Sequence, residues 1–212
     1  MEIWDLYDAN KNLLGRTHVR GEELPDDGYH LVVHCWIRNS EGKYLISQRA
    51  SHRPTYPLMF ECVGGSVTAG EDSRQGALRE IVEEVGLDLS VAKAEIVYTK
   101  TRGFISGKKF NDIMDVWLFD YTGEVDLSKA TTDEVCDTKW CSIDEIKQIQ
   151  AEGKLVPTLE YIYDIDKKVQ NKQKIAQKNK KNKKKIKKLS ESSKYFDFYD
   201  DVKAGCHKVI DW

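Results

Sequence analysis

Apolar and polar residues alternate along the first part of the chain, and a period of two predicts β-strands. Residues 2–7 and 13–16 lie on either side of a cluster of turn-forming residues, so they predict a β-hairpin. The β-branched and aromatic run 30–38 and the run 43–48 flank an Asn-Ser-Glu-Gly turn and predict a second pair of strands. The segment 50–57 contains two prolines and predicts a loop.

The period changes to that of a helix after a short strand predicted over 60–63, which ends at Gly64 and Gly65. Residues 73–85 predict a helix whose apolar positions recur every 3.6 residues and form its core-facing side. Those positions are Leu78, Ile81, Val82 and Val85. Asp72, three residues before Gln75, predicts a capping box, and the glycine at position 86 predicts the helix end.

The remaining pattern interleaves strands with helices. Strands are predicted over 94–101, 113–121 and 138–141. A capping-box sequence at Ser142 predicts a helix to about Glu152, and a further helix is expected after Pro157. Interleaved strands and helices predict an α/β (α+β) fold, a layered sandwich with an N-terminal β-hairpin.

Charge divides the chain into two unlike parts. The 212 residues carry a formal net charge of −2, but residues 1–166 hold 18 basic and 30 acidic side chains. Residues 167–188 hold 12 lysines and no acid. We therefore expect a domain over 1–166, with its core at 28–160, and a Lys-rich extension over 167–212 with an aromatic and acidic terminus that could pack back on the domain.

The extension has too few apolar residues to bury much surface, so a solvated, partly helical or disordered segment is the simplest interpretation. Binding of RNA or another polyanion through residues 167–188, or docking on an acidic body, stays open. The five cysteines show no paired spacing, which argues against disulfides or structural zinc. No signal sequence or membrane-length apolar run is present, and we expect a cytoplasmic protein without membrane partners.

Three carboxylates on the predicted helix are candidates for chemistry. Glu80, Glu83 and Glu84 share one side of a helix, where their like charges repel each other. Clustered carboxylate oxygens suit hard divalent cations such as Mg²⁺. Gly64 and Gly65 precede this helix, and glycine lets a backbone carbonyl approach such an ion closely, so Gly64 is a candidate further ligand.

The segment from Gly65 to Leu87 matches a known signature: glycine, five residues, glutamate, seven residues, then Arg-Glu-aliphatic-x-Glu-Glu-x-Gly-aliphatic. Every fixed position is filled, by Gly65, Glu71, Arg79, Glu80, Ile81, Glu83, Glu84, Gly86 and Leu87. This resembles the Nudix box, and the chain is similar to Nudix hydrolases. The resemblance implies the αβα sandwich of that family, with a mixed β-sheet.

The resemblance also implies an activity and roles. Nudix hydrolases cleave a nucleoside diphosphate linked to another moiety, using Mg²⁺ or Mn²⁺ and an activated water. Glu80, Glu83 and Glu84 match the family's metal-binding or metal-orienting glutamates, and Arg79 matches an arginine that orients one of them. Glu71 matches a position that is more often structural. We expect turnover to depend completely on the metal.

The general base and the substrate contacts lie outside the signature. Glu134 occupies a place where several similar enzymes carry a base, and Asp112 and Asp115 are rivals. Arg49 and Arg53, in the loop before residue 60, could bind the diphosphate, although a solvated loop is an equal alternative. Aromatic side chains could stack on a base; of Trp36, Tyr56 and Trp117, the two tryptophans fit core positions better.

The N-terminal half is also similar to isopentenyl-diphosphate isomerase, which shares the fold. The isomerase needs a Cys-Gly-His motif, and this chain has Gly64 where the isomerase has the cysteine and Ser66 where it has the histidine. His30 matches the position of one metal-binding histidine of the isomerase. Hydrolysis is therefore favoured over isomerisation, and a noncatalytic nucleotide- or RNA-binding module is a third alternative. His30 and His34 share a strand face, and Cys62 fits a small buried residue. The hairpin could mediate a homodimer.

Overall fold

The computed structural model describes residues 1–105 and 108–205, which contain nine strands and three α-helices. The strands are β1 (Ile3–Tyr7), β2 (Leu13–Val19), β3 (His30–Arg38), β4 (Tyr44–Arg49), β5 (Phe60–Glu61), β6 (Val63–Ser66), β7 (Ala94–Ile105), β8 (Lys108–Asp120) and β9 (Val135–Cys141). The helices are α1 (Ser73–Val85), α2 (Ile143–Ala151) and α3 (Ile162–Gly205). The mixed α/β fold class is confirmed.

A mixed sheet of seven strands is built around β3. On one side β3 pairs in parallel with β8 over its whole length, and β8 pairs with β7 in antiparallel fashion. On the other side the first half of β3 pairs with β6 and its end pairs with β4, which continues to β5 and β9. The β1–β2 hairpin forms a separate sheet, as predicted.

Helix α1 packs on one face of this sheet and begins and ends where the sequence predicts. Asp72 caps it in a capping box with Gln75, and Gly86 ends it in the left-handed conformation with φ 70°. The predicted core-facing side needs correction. Val82 is exposed and Glu84 is buried, because the side facing the sheet is centred on Ile81 and Val85 and extends to Glu84.

The strand after residue 60 does not end at the two glycines. β6 continues through them to Ser66, paired with β3. An added Cβ would lie 2.2 Å from the Val33 carbonyl oxygen at Gly64, and 2.4 to 2.6 Å from the Glu80 carboxylate at Gly65. The backbone obstacle makes glycine necessary at position 64, whereas at position 65 the flexible Glu80 side chain would have to move. The two positions face opposite sides of the sheet.

The turn of the N-terminal hairpin and the start of α1 are linked through Asp115 on β8. Lys11 lies in this turn with φ 66°, and its ammonium group forms an ion pair with the fully buried Asp115 carboxylate of β8. The same carboxylate accepts hydrogen bonds from Ser73 Oγ at 2.5 Å and from Thr99 Oγ1 at 2.8 Å. Asp115 thus joins the hairpin, two sheet strands and the first residue of the helix.

The chain from residue 164 onward forms a unit distinct from residues 1–163. Within it α3 continues to Gly205, and residues 170–185 are exposed. None of the described helices is long and apolar enough to cross a membrane. The end of the aromatic and acidic terminus, with Cys206, lies outside the described residues.

Candidate active site

Arg79 organises the acidic side of α1. Its Nη1 donates hydrogen bonds to Glu80 Oε1 at 2.8 Å and to Glu83 Oε2 at 3.0 Å. Its Nε and Nη2 bind the Glu71 carboxylate, and Nη2 also donates to the Ser66 carbonyl at 2.8 Å. One guanidinium group thus joins three of the carboxylates that the sequence singled out. Partial burial alone would raise the pKa of Glu71, but the bonds from Arg79 and the Thr68 amide lower it.

Glu80 and Glu84 are carboxylates with strongly raised pKa values. Burial raises the pKa of Glu80 to about 7, against the effect of Arg79, and the charges of Glu83 and Glu134 add to the rise. Burial also raises the pKa of Glu84 well above its ordinary value, and nearby Glu61 and Glu80 contribute. The Gly64 amide, 3.3 Å from Glu84 Oε2, opposes that rise by donating a hydrogen bond. The site concentrates negative charge that the protein neutralises only in part.

Glu61 belongs to this cluster, although the sequence analysis did not select it. It lies on β5 opposite Ser47, on the sheet face that α1 covers, and its carboxylate forms an ion pair with Arg49. Burial raises its pKa, with Arg49 opposing. The sequence gives little signal for this residue, because its place depends on the pairing of β4 with β5.

Glu134 and Arg53 meet at the edge of the same cluster. Arg53 Nη1 lies 2.7 Å from Glu134 Oε1, in a pair whose side chains are 22% and 35% exposed. The chain just before Glu134 is held against the end of α1, since the amides of Thr131 and Thr132 donate to the Glu83 carbonyl. The structure therefore places the predicted base and one predicted substrate contact beside the glutamates of the helix.

The donor set fits a hard divalent cation. Arg79 binds one oxygen of Glu80 and one oxygen of Glu83, so the second oxygen of each is available. The raised pKa values of Glu80 and Glu84 show that added positive charge would be favourable. In the present side-chain positions, no three Asp, Glu, His or Cys residues of the described chain lie close enough together to hold a metal ion.

The opposite face of the sheet carries a neutral polar cluster. His34 Nδ1 lies 2.5 Å from Tyr161 Oη, which also accepts a hydrogen bond from Trp36 Nε1 at 3.3 Å. Burial and the charge of Arg102 lower the pKa of His34 to about 3, so the ring is neutral near pH 7. The Cys62 thiol, 3.9 Å from the same hydroxyl, is buried with a raised pKa, which agrees with a core role.

Several other predicted residues lie apart from the glutamates. Asp112 forms a two-bond ion pair with Arg102, at 2.6 and 2.7 Å, and Asp115 is bound as described above. His30 stacks on Trp4 with ring centroids 4.0 Å apart. Of the three aromatic candidates, Trp36 and Trp117 are buried, as predicted, and Tyr56 is exposed.

Comparisons with known proteins identify the family and the fold of the chain. A model of the NUDIX domain matches residues 28–162. An uncharacterized Nudix hydrolase of Listeria monocytogenes is 35% identical over 162 residues, which cover 74% of this chain and 89% of the relative. The fold is similar to a crystal structure of a Deinococcus radiodurans protein, with a TM-score of 0.61 and 17% identity, covering 79% of this chain and 98% of that one.

An isopentenyl-diphosphate Delta-isomerase of Shigella flexneri is more distantly similar. It is 25% identical over 125 residues, which cover 55% of this chain and 64% of the isomerase. The resemblance to the isomerase subgroup is therefore weak, and the stronger similarity is to hydrolases.

Proposed function

The chain belongs to the Nudix hydrolase family, and we propose that it hydrolyses the diphosphate bond of a nucleoside diphosphate linked to another moiety, with Mg²⁺ or Mn²⁺. One observation carries the proposal: two carboxylates of α1 with raised pKa values lie against the glycine pair, Glu80 beside Gly65 and the buried Glu84 at the Gly64 amide. Such a site attracts a cation, and glycine at position 65 leaves the space that the Glu80 carboxylate occupies.

Glu80, Glu83 and Glu84, with the Gly64 carbonyl, would hold the cation. The ion would neutralise charge on phosphate oxygens and lower the pKa of a bound water. Arg79 keeps Glu80 and Glu83 in place by charge-assisted hydrogen bonds.

Glu134 is the proposed general base, and its position next to the cluster supports this role. Arg53 is the proposed contact to the substrate phosphates. Arg49 as a direct contact stays a prediction, because each of its three nitrogens already has a protein partner in Glu61 or Thr55. We expect a small-molecule substrate rather than a membrane or nucleic-acid partner.

The test is a screen of nucleoside diphosphate derivatives with Mg²⁺ or Mn²⁺, measuring released phosphate with and without added phosphatase. We expect EDTA to abolish turnover, and Glu84→Gln to lower kcat by about 100-fold or more, the size typical of losing one electrostatic stabiliser of a transition state. Glu41→Gln, an exposed glutamate in the β3–β4 turn, is the matched control and should leave turnover unchanged. Full turnover in EDTA would contradict the proposal.

A further inference from the structure

Two arginines of the site are bound to very different extents. Arg49 donates from Nε to the Thr55 carbonyl at 2.8 Å and from Nη2 to Thr55 Oγ1 at 3.3 Å, and its Nη1 binds Glu61. Arg53 pairs through Nη1 with Glu134, and its enclosed Nε has no hydrogen-bond partner in the part of the chain that the structure describes. The Arg53 guanidinium is therefore incompletely satisfied.

This difference makes Arg53 the arginine that can accept a new partner. An enclosed N–H group without an acceptor is unfavourable, and a ligand with several oxygens can relieve it. Arg53 and Glu134 are 22% and 35% exposed, whereas Arg49 and Glu61 are 12% and 19% exposed. A dissolved anion can reach the first pair more easily than the second.

The backbone around the pair is fixed, so an exchange of partners needs only side-chain rotation. The Ala50 amide donates to the Glu134 carbonyl at 2.8 Å, which ties the two segments together. The Arg53 amide donates to the Ala50 carbonyl at 3.2 Å, which holds the loop itself. Both side chains thus start from anchored positions.

We propose that Arg53 exchanges partners when substrate binds: it pairs with Glu134 in the free protein and with a substrate phosphate in the complex. This inference rests on the proposed function. A phosphate group offers more charge and more acceptor oxygens than one carboxylate, and a guanidinium binds it in a forked geometry. The Glu134 carboxylate is released when the diphosphate is in place, so the proposed base becomes available only in an occupied site.

The exchange makes an unusual prediction for binding of inorganic pyrophosphate, measured by calorimetry at a fixed Mg²⁺ concentration. Arg53→Gln should weaken binding about tenfold or more, because a charge-assisted hydrogen bond is lost. Glu134→Gln should tighten binding about two- to fivefold, because the anion no longer competes with a partly exposed ion pair. The same Glu134 variant should lose turnover of whatever substrate the screen identifies.

Two controls separate the exchange from a general charge effect. In the Arg53→Gln background, the further change Glu134→Gln should no longer tighten pyrophosphate binding, because no arginine remains to be released. Asp133→Asn removes the neighbouring acidic charge, whose side chain is 94% exposed, and should leave pyrophosphate affinity unchanged. Thermal melting of each variant confirms that it is folded.

The outcomes divide cleanly. Tightening that persists in the double variant, or that Asp133→Asn reproduces, would assign the effect to net charge and overturn the exchange. Glu134→Gln that weakens binding or leaves it unchanged would make the ion pair merely structural and also overturn the exchange, with the proposed function intact. Wild-type protein that binds no pyrophosphate would contradict both.

Discussion

The two faces of the central sheet bury polar groups in opposite ways. On the α1 face, carboxylates and arginines are gathered with an excess of acid, and the pKa of Glu80 rises to about 7. On the other face, His34 and Tyr161 form a cluster in which the histidine is neutral near pH 7, with a pKa of about 3. The first face keeps an excess of negative charge, whereas the second holds a neutral histidine and pairs its buried Asp112 with Arg102.

This difference favours the α1 face as the place of the proposed ligand. Burying unbalanced charge is costly, so a protein tolerates it where a cation or a substrate later supplies the missing partner. A neutral cluster that satisfies its own hydrogen bonds gains little from a charged ligand. The adjacent residues Gly64 and Gly65 allow the two faces to be tested separately, because a Cβ added at one would point to the opposite side of the sheet from a Cβ added at the other.

The largest effect is expected from Gly64→Ala. Its Cβ would lie 2.2 Å from the Val33 carbonyl oxygen, a backbone atom of β3 that cannot move without disturbing the sheet. We expect the free energy of unfolding to fall by about 3 kcal/mol or more, the upper range for overpacking. Urea denaturation measures it, and a loss below about 1 kcal/mol would contradict this steric interpretation.

Gly65→Ala should act on activity and leave stability nearly unchanged. Here the obstacle is the flexible end of Glu80, which must leave its place beside Arg79. We expect kcat to fall about 100-fold, as for the loss of one electrostatic stabiliser, while the unfolding midpoint in urea stays close to wild type. If Gly65→Ala and Gly64→Ala destabilise the protein equally, the two faces do not differ as described.

His34→Gln should change how stability depends on pH. Burial lowers the pKa of His34 from 6.5 to about 3, so between those values the unfolded chain binds more protons than the folded protein. Stability is complete above the ordinary pKa and falls as pH drops below it, by at most about 1.4 kcal/mol per pH unit for one proton.

Replacing His34 with glutamine removes this titration, so the slope of stability against pH in that range should become smaller. Unfolding in urea at several pH values measures the slope. His52→Gln is the matched control for the loss of a histidine, at a side chain that is 55% exposed. An unchanged slope in His34→Gln would place the acid sensitivity elsewhere.

The smallest effect is expected from Tyr161→Phe. The change removes the hydroxyl that lies beside His34 Nδ1 and accepts from Trp36 Nε1, which would cost about 1 kcal/mol, in the range of a single hydrogen bond. Tyr163→Phe removes a hydroxyl that donates to Gln150 on a more exposed part of the fold, and should cost less. Equal losses measured in urea would mean that the neutral cluster adds no stability of its own.

Local signals predicted helix α1 almost to the residue, because its start and its end are both determined within a few positions of the chain. Asp72 with Gln75 forms the capping box, and Gly86 adopts the left-handed conformation that only glycine adopts readily. The Nudix signature lies in the same stretch, so the glutamates of the site could be identified together with the helix that carries them.

What depends on pairing across the fold could not be predicted in the same way. Periodicity assigned Val82 to the core and missed the burial of Glu84. The rotation of the helix about its own axis is set by packing against the sheet, and a helix of this length does not determine it locally. Glu61 joins the site only through the register of β4 and β5. The roles of Arg49 and Arg53 differ by hydrogen-bond partners that no local pattern indicates.

The contacts of Asp115 have a consequence for the order of events during synthesis. This residue holds Ser73, at the start of α1, from 42 positions further along the chain, and it holds Lys11 from 104 positions away. A ribosome adds roughly 5 to 20 residues each second, so α1 emerges some seconds before the strand that anchors it. The nascent chain therefore carries its acidic helix without the Asp115 contact for that interval, and the link between the helix start and the hairpin turn can form only after β8 has been made.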